Sequence, residues 1–293
     1  MGSTEKRIFF GMLAVLVIVA ALYFYQSLDS ARKVDVYGVS VILCGECENF
    51  EKGLNGAALE KNVDMHIVRA VGASPEAQTA ALERELNNGA GTVVLYLADA
   101  KNLSVWLQKN KAAVPLVYVG DAPVKGVSNV SLEATALAAA LVSELESQPL
   151  RSITLVGDGA GGDEARINVL SAAFSNAGFT YDFRYPSEMK TLTAECIYVA
   201  ASPAASRALI EIWSEGALLY GMGYETALRA PLENGHIAAL ATVSEFDAGY
   251  LAVTEAVARI DGARASDAAL SAFLARSGNM YEPPVSTILF PIG

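Results

Sequence analysis

Residues 36–59 constrain the chain most. An apolar, largely β-branched run (Val36-Tyr37-Gly38-Val39-Ser40-Val41-Ile42-Leu43) is followed by a short polar turn, residues 44–49, and then by a stretch of helical period ending at Leu59. A near-continuous apolar run is what a strand needs when helices cover both faces of a parallel sheet. The turn then falls at the carboxyl end of the strand and the amino end of the next helix, where open α/β sheets bind ligands. Part of any recognition site is therefore expected at residues 44–49.

The same alternation continues along the chain. Strands are predicted at residues 63–71, 92–97, 114–119, 152–156, 180–185, 196–200, 217–222 and 236–243. Helices are predicted at 75–87, 103–111, 133–146, 164–177, 204–213, near 226–233 and at 248–260. Ser74 and Pro75 supply a cap and a first helical residue for the second helix. Strands separated by helices of this length indicate right-handed βαβ units and a parallel sheet. The strands are too many for one doubly wound sheet of common size, so the α/β chain is read as two similar lobes. With 53% hydrophobic residues in 293, it can build both cores.

Ahead of the body, residues 8–25 form an 18-residue stretch without a charge, about the length that crosses a bilayer core, preceded by Lys6 and Arg7. The only good small-residue cleavage site, near Val19-Ala20-Ala21, lies inside the apolar run, which favours an uncleaved signal anchor over a removed signal peptide. Tyr23, Phe24 and Tyr25 then form an aromatic belt at the far interface. Cys44 is not a lipoprotein cysteine, because Leu43 stands where a small residue is needed.

Charge excludes one class of partner. The chain has 21 basic and 32 acidic residues, a net −11, and no basic run longer than two residues, so nucleic acid is not expected as a partner. Nor does a nucleophile, base and orienting group recur at a sensible spacing, and the chain is read as a non-enzyme without cofactor or metal. Cys44-Gly45-Glu46-Cys47 is a Cys-x-x-Cys, but the surrounding chain is far longer than a thioredoxin and follows another pattern. A disulfide beside the turn and two free, packed thiols both remain open, while zinc would need two more ligands. His66 and His236 are read as strand residues, Cys196 as a small buried hydrophobe, and Trp106 and Trp213 as core. Residues 157–163, Gly-Asp-Gly-Ala-Gly-Gly-Asp, lack the spacing of a dinucleotide loop; ordinary turn chemistry with Asp163 capping the next helix accounts for them.

Several segments, taken in order, resemble the type I periplasmic solute-binding proteins, especially the ribose- and galactose-binding branch that shares its fold with bacterial sugar-responsive repressors. They are Phe50 followed by Gly56-Ala57, Gln78 with Leu86 and Asn88-Gly89-Ala90, and Val114-Pro115-Leu116-Val117-Tyr118-Val119. They continue with Leu219-Tyr220-Gly221-Met222-Gly223, Asn234-Gly235-His236-Ile237-Ala238-Ala239, Gly249-Tyr250 and Leu289-Phe290-Pro291. A repressor is not expected, because no basic helix-turn-helix precedes the body and a candidate membrane span does.

The resemblance implies a two-lobed clamshell that closes on a ligand, with crossovers near residues 122–129, 244–248 and 283–285. Residues 1–33 are then a cytoplasmic tail, anchor and linker. Residues 34–125 with 244–283 form the first lobe, and 126–243 with 284–293 the second. Carried over by position, the ligand-binding residues are Glu46, Asn49, Phe50, Asp99, Gly120, Asp121, Arg166, Asn168, Ser202, Tyr224, Glu225 and Thr242. Phe50 matches the ring-stacking aromatic, whereas most of the acid and arginine pairs that grip vicinal hydroxyls are absent or displaced. The implied function is capture of a small polar ligand by a single-pass, extracytoplasmic protein, for an ABC permease or a sensor kinase. The alternative is a degenerate clamshell that serves as an interaction module of a membrane sensor.

Overall fold

The apolar run that opens the body forms β1 (Tyr37–Leu43), whose last three residues are wholly buried. In this computed structural model the described residues are 36–45, 47–159 and 163–291, together with Val19. The expected membrane segment lies outside them except for Val19, and among the described residues no helix is long and apolar enough to cross a membrane. From Tyr37 onward the chain is one compact unit built on two six-stranded sheets.

In the first sheet, β1 lies between β2 (Val63–Arg69) and β3 (Thr92–Tyr96), both parallel to it. β4 (Leu116–Gly120), β5 (Ser128–Ser131) and β11 (Asp267–Ala269) continue outward from β3 in parallel. The second sheet repeats this order. β6 (Ser152–Val156) lies between β7 (Thr180–Arg184) and β8 (Ile197–Ala200), followed by β9 (Leu218–Met222) and β10 (Ala239–Thr242). Its far edge is β12 (Phe273–Ala275), antiparallel to β10. Strand order thus reverses beside β1 in one sheet and beside β6 in the other, giving two topological switch points.

Around the first sheet stand α1 (Glu48–Lys61), α2 (Pro75–Asn87), α3 (Ala100–Lys109) and α8 (Glu245–Ile260). Ser74 Oγ accepts from Ala77 N at 3.3 Å, the expected cap of α2. α1 and α8 pack with their backbones in near contact at two glycines. A Cβ on Gly53 would lie 1.9 Å from the Phe246 carbonyl oxygen, and one on Gly249 would lie 2.2 Å from that of Phe50. The second sheet carries α4 (Ala134–Leu145), α5 (Glu164–Asn176) and α6 (Pro203–Glu211), and the short α7 (Arg229–Glu233) and α9 (Val285–Leu289) follow later in the chain.

Two strand assignments move the places where the chain changes sheets. The first sheet keeps residues 128–131, past the expected boundary at 125. This strand is polar and has no apolar run to announce it; Ser128 Oγ donates to Glu255 at 2.7 Å, and Asn129 Nδ2 donates to Asp267 at 2.8 Å. Residues 273–275 already pair with β10 of the second sheet, ahead of the expected boundary at 283. The chain therefore passes between sheets at residues 132–133, 243–244 and 270–272.

Candidate ligand-binding cleft

The carboxyl ends of β1, β3, β6 and β8 converge on one cavity of about 320 Å³. Cys44 and Gly45 follow β1; Tyr96 and Leu97 end β3; Asp158 and Gly159 follow β6; Ser202 to Ala204 follow β8. These are the strand ends beside both switch points, so the cavity lies where two open α/β sheets each present a ligand site. Residues 72–75 and Gln78 add a wall, and Asp163, Arg166, Glu225 and Glu245 complete it. A smaller chamber of about 160 Å³ adjoins it, lined by Cys47, Glu48, Asn49, Tyr224, Thr226 and Ala227. Pro203, Glu225 and Glu245 line both.

The lobes meet through polar contacts. Arg166 Nε donates to Asp121 Oδ2 at 2.7 Å, with the two side chains 9% and 2% exposed. The other carboxylate oxygen, Asp121 Oδ1, is buried without a hydrogen-bond partner. Burial opposes the charge of Arg166, but the Asp121 carboxylate more than offsets it and raises the pKa. Thr226 Oγ1 donates to Glu48 Oε2, and Asn49 Nδ2 donates to the Leu289 carbonyl at 3.4 Å.

Glu245 opens α8 one residue after the capping Ser244, whose Oγ accepts from Asp247 N at 3.1 Å. The neighbouring Tyr96 hydroxyl favours the charged form of the Glu245 carboxylate. Burial pushes the Glu245 pKa up to about 8; Arg166 opposes the rise, and Glu225 and Asp121 reinforce it. On the opposite wall, Asp163 Oδ2 accepts from Asp158 N at 2.6 Å, and Ser202 Oγ donates to Asp158. Burial, followed by the hydrogen bond and charge of Asp158, pushes Asp163 up to about 7. The expected cap does not form: Asp163 makes no side-chain bond to the first turn of α5, because its carboxylate turns back onto the loop.

Of the residues named from the sequence, Arg166, Ser202 and Glu225 line the main cavity, while Asn49, Tyr224 and Glu225 line the smaller one. Arg207 Nε lies 2.8 Å from Glu225 at the rim. Asp121 sits behind Arg166. Phe50 is fully buried and lines neither chamber; its ring stacks on Tyr96 with centroids 4.1 Å apart, so that face is already covered. Asp99 caps α3, its Oδ1 accepting from Asn102 N at 2.5 Å, and its own N–H donates to Gln78 Oε1 at 2.9 Å. Gly120 lies against Tyr118, where a Cβ would come 2.3 Å from the hydroxyl oxygen. Asn168 points to solvent, two residues along α5 from the buried Arg166. Thr242 is buried and donates to the Val243 carbonyl at 3.2 Å. Glu46 lies outside the described residues.

Cys44 and Cys47 are free thiols rather than a disulfide, each facing a different chamber. Burial raises Cys44 to about 12; burial and then the charge of Glu51 raise Cys47 as well. His66 is on the edge strand β2 rather than in the core, with Nδ1 2.7 Å from the buried Glu85. His236 stacks on Trp213 at 4.2 Å. Tyr96, Glu245 and Asp158 were not singled out from the sequence as site residues. The end of β3 and the second crossover were the available signals for the first two, and the glycine-rich turn for the third.

No family model matches the sequence, and no curated protein matches it. Solved structures do match. A solute-binding protein of an ABC transporter from Agrobacterium vitis, bound with alpha-D-tagatopyranose, superposes with a TM-score of 0.74 over 86% of this chain and 99% of its own, at 13% identity. A glucose-galactose binding protein from Geobacillus stearothermophilus gives 0.70 over 84% and 99%, at 15% identity. A Caulobacter myo-inositol binding protein gives 0.69 over 85% and 96%, at 16% identity. Two sheets of matching order, three passages between them and a cleft at both switch points give this chain the fold of the type I periplasmic solute-binding proteins, which it shares with LacI-type regulators.

Proposed function

We propose that this protein captures a small polar ligand between its lobes, outside the cytoplasm and held to the membrane by residues 8–25, for an ABC permease or a membrane sensor. The observation that carries the reading is the cavity itself, because both sheets contribute the carboxyl ends of their central strands to it. The proteins of known structure with this fold include ones bound to a ketohexose and to myo-inositol. Groups on both walls let one ligand draw the lobes together, and a closed form is what a permease or sensor reads.

A second reading has a specific observation in its favour. The acid and the arginine that would grip a hydroxyl bond each other instead, joining the lobes directly. On that reading the clamshell is a module that binds another protein.

Thermal unfolding of the full-length protein in detergent, screened against sugars, polyols, amino acids, nucleosides and polyamines, separates the two. A ligand at a hundred times its Kd stabilises by about 2.7 kcal/mol, and Ala204→Trp, which fills the cavity, should abolish the shift. A cooperative melt that no compound moves favours the protein-binding module. Carbonate extraction and protease accessibility of intact cells test the anchor: release from the membrane, or protection of the body, refutes it.

A further inference from the structure

We infer that the ligand of this cleft carries an ammonium group on an apolar body, with the cation seated at Glu245 where the two chambers meet. The inference rests on the capture reading and adds the chemistry of what is captured. Among the described lining residues, Asp158, Asp163, Glu225 and Glu245 carry carboxylates on the main cavity and Glu48 carries one on the smaller; Arg166 is the only cation. That cation is engaged, since its Nε donates to Asp121. Glu225 has Arg207 at the rim.

The balance of donors and acceptors points the same way. A sugar hydroxyl both donates and accepts, so the sites that hold it supply both. In this cleft several of the donors are already spent within the protein. The Ser202 hydroxyl is given to Asp158, and the Gln78 amide is given to the Ala73 carbonyl at 3.1 Å. The four carboxylates on the main cavity are acceptors only once they are charged. An ammonium group donates three hydrogen bonds and accepts none. Leu97, Ala73, Pro75, Pro203 and Ala204 provide the apolar wall for a hydrocarbon body.

Glu245 is the seat because it borders both chambers and has no cationic partner as close as the one Asp121 holds. The charged and titratable groups facing it are Arg166 on α5, Glu225 after β9, Tyr96 at the end of β3, Asp121 after β4 and Cys47 before α1. With its pKa at about 8, the empty protein holds Glu245 mostly protonated near neutral pH, and a bound ammonium displaces that proton.

The test is calorimetric titration of the full-length protein with butylamine, putrescine, cadaverine and spermidine, beside D-galactose, D-arabinose and myo-inositol. At least one amine is expected to bind and the neutral compounds are not. Its affinity should rise between pH 6 and 8, with proton release at pH 7 read from the dependence of heat on buffer, and should drop tenfold or more in Glu245→Gln. The pH arm uses the unmodified chain and holds even where that variant folds poorly. Binding of a neutral sugar, blocked by Ala204→Trp and indifferent to pH and to Glu245→Gln, overturns the ammonium assignment and leaves capture standing. An amine that binds Ala204→Trp as well as the parent is bound outside the cleft and overturns it too. If no probe of either class binds a cooperatively folded protein, capture falls and this inference with it.

Discussion

Asp121 Oδ2 lies 2.7 Å from Arg166 Nε, and this one ion pair ties the carboxyl end of β4 in the first lobe to α5 of the second. Both side chains are more than nine-tenths buried, so removing one partner leaves the other charge uncompensated. Arg166→Met alone should cost about 3–5 kcal/mol in equilibrium urea unfolding. Replacing both, Asp121→Leu with Arg166→Met, should recover most of that loss, because a buried pair exchanged for apolar side chains of similar volume is close to neutral. A double variant no better than the single would mean that the loss comes from packing rather than from the orphaned carboxylate.

Glu245 makes the empty protein less stable as pH rises. Its folded pKa, about 8, stands above the ordinary 4.5, so between these values the folded state holds a proton that the unfolded state has released. The stabilisation is complete below pH 4.5 and is lost as pH climbs through 8. Asp163, raised from 3.8 to about 7, contributes in the same sense over a lower window. Thermal midpoints of the ligand-free protein should therefore fall from pH 5 to pH 8.5, and Glu245→Gln should flatten the upper part of that slope. A slope unchanged in the variant would assign the effect to other groups.

Cys44 should be inert while the protein is folded. With a pKa of about 12, roughly one thiol in ten thousand is ionised at pH 8. Alkylation by iodoacetamide at that pH, followed by mass spectrometry, should leave Cys44 and Cys47 unmodified in buffer and label both in urea. Rapid labelling of Cys44 in the folded state would mean that the cleft opens widely without ligand.

The sequence made the central strands legible because each is an apolar run buried on both faces, as at Val41, Ile42 and Leu43. Strands β5, β11 and β12 were missed because they are three or four residues long, and β5 also lacks such a run. In the site, the residue types at positions 121 and 166 were visible, but their pairing with each other is a tertiary fact. Phe50 shows the same limit: its position along α1 is legible, and the ring of Tyr96 that covers it comes from a strand 46 residues away. Glu245 fell in the expected crossover at residues 244–248, ahead of the helix predicted at 248–260, with nothing in the sequence to set it apart from other acids; the structure starts that helix at Glu245. Its burial depends on how the lobes close.

The contact between α1 and α8 carries the most demanding packing in the first lobe. Gly53 faces the Phe246 carbonyl and Gly249 faces the Phe50 carbonyl, so each helix offers the other a bare backbone. A methyl at either place would sit 1.9 or 2.2 Å from an oxygen that belongs to a helix and cannot rotate away. Gly56, on the same helix as Gly53, provides the control: its Cβ would lie 3.6 Å from the end of the Phe246 ring, an ordinary contact. Because glycine costs a helix interior about 1 kcal/mol relative to alanine, Gly56→Ala should be neutral or stabilising. Gly53→Ala and Gly249→Ala should instead force the helices apart and cost about 1–3 kcal/mol or more. The two losses should also fall short of additive, since a displacement made for one methyl serves the other. Phe50 and Glu245 ride on these two helices, so a displaced pair moves one wall of the cleft. Chemical denaturation of the three single variants and the Gly53→Ala/Gly249→Ala double reads all of this, and a destabilised Gly56→Ala beside an unaffected Gly53→Ala would show that the helices do not cross at these glycines.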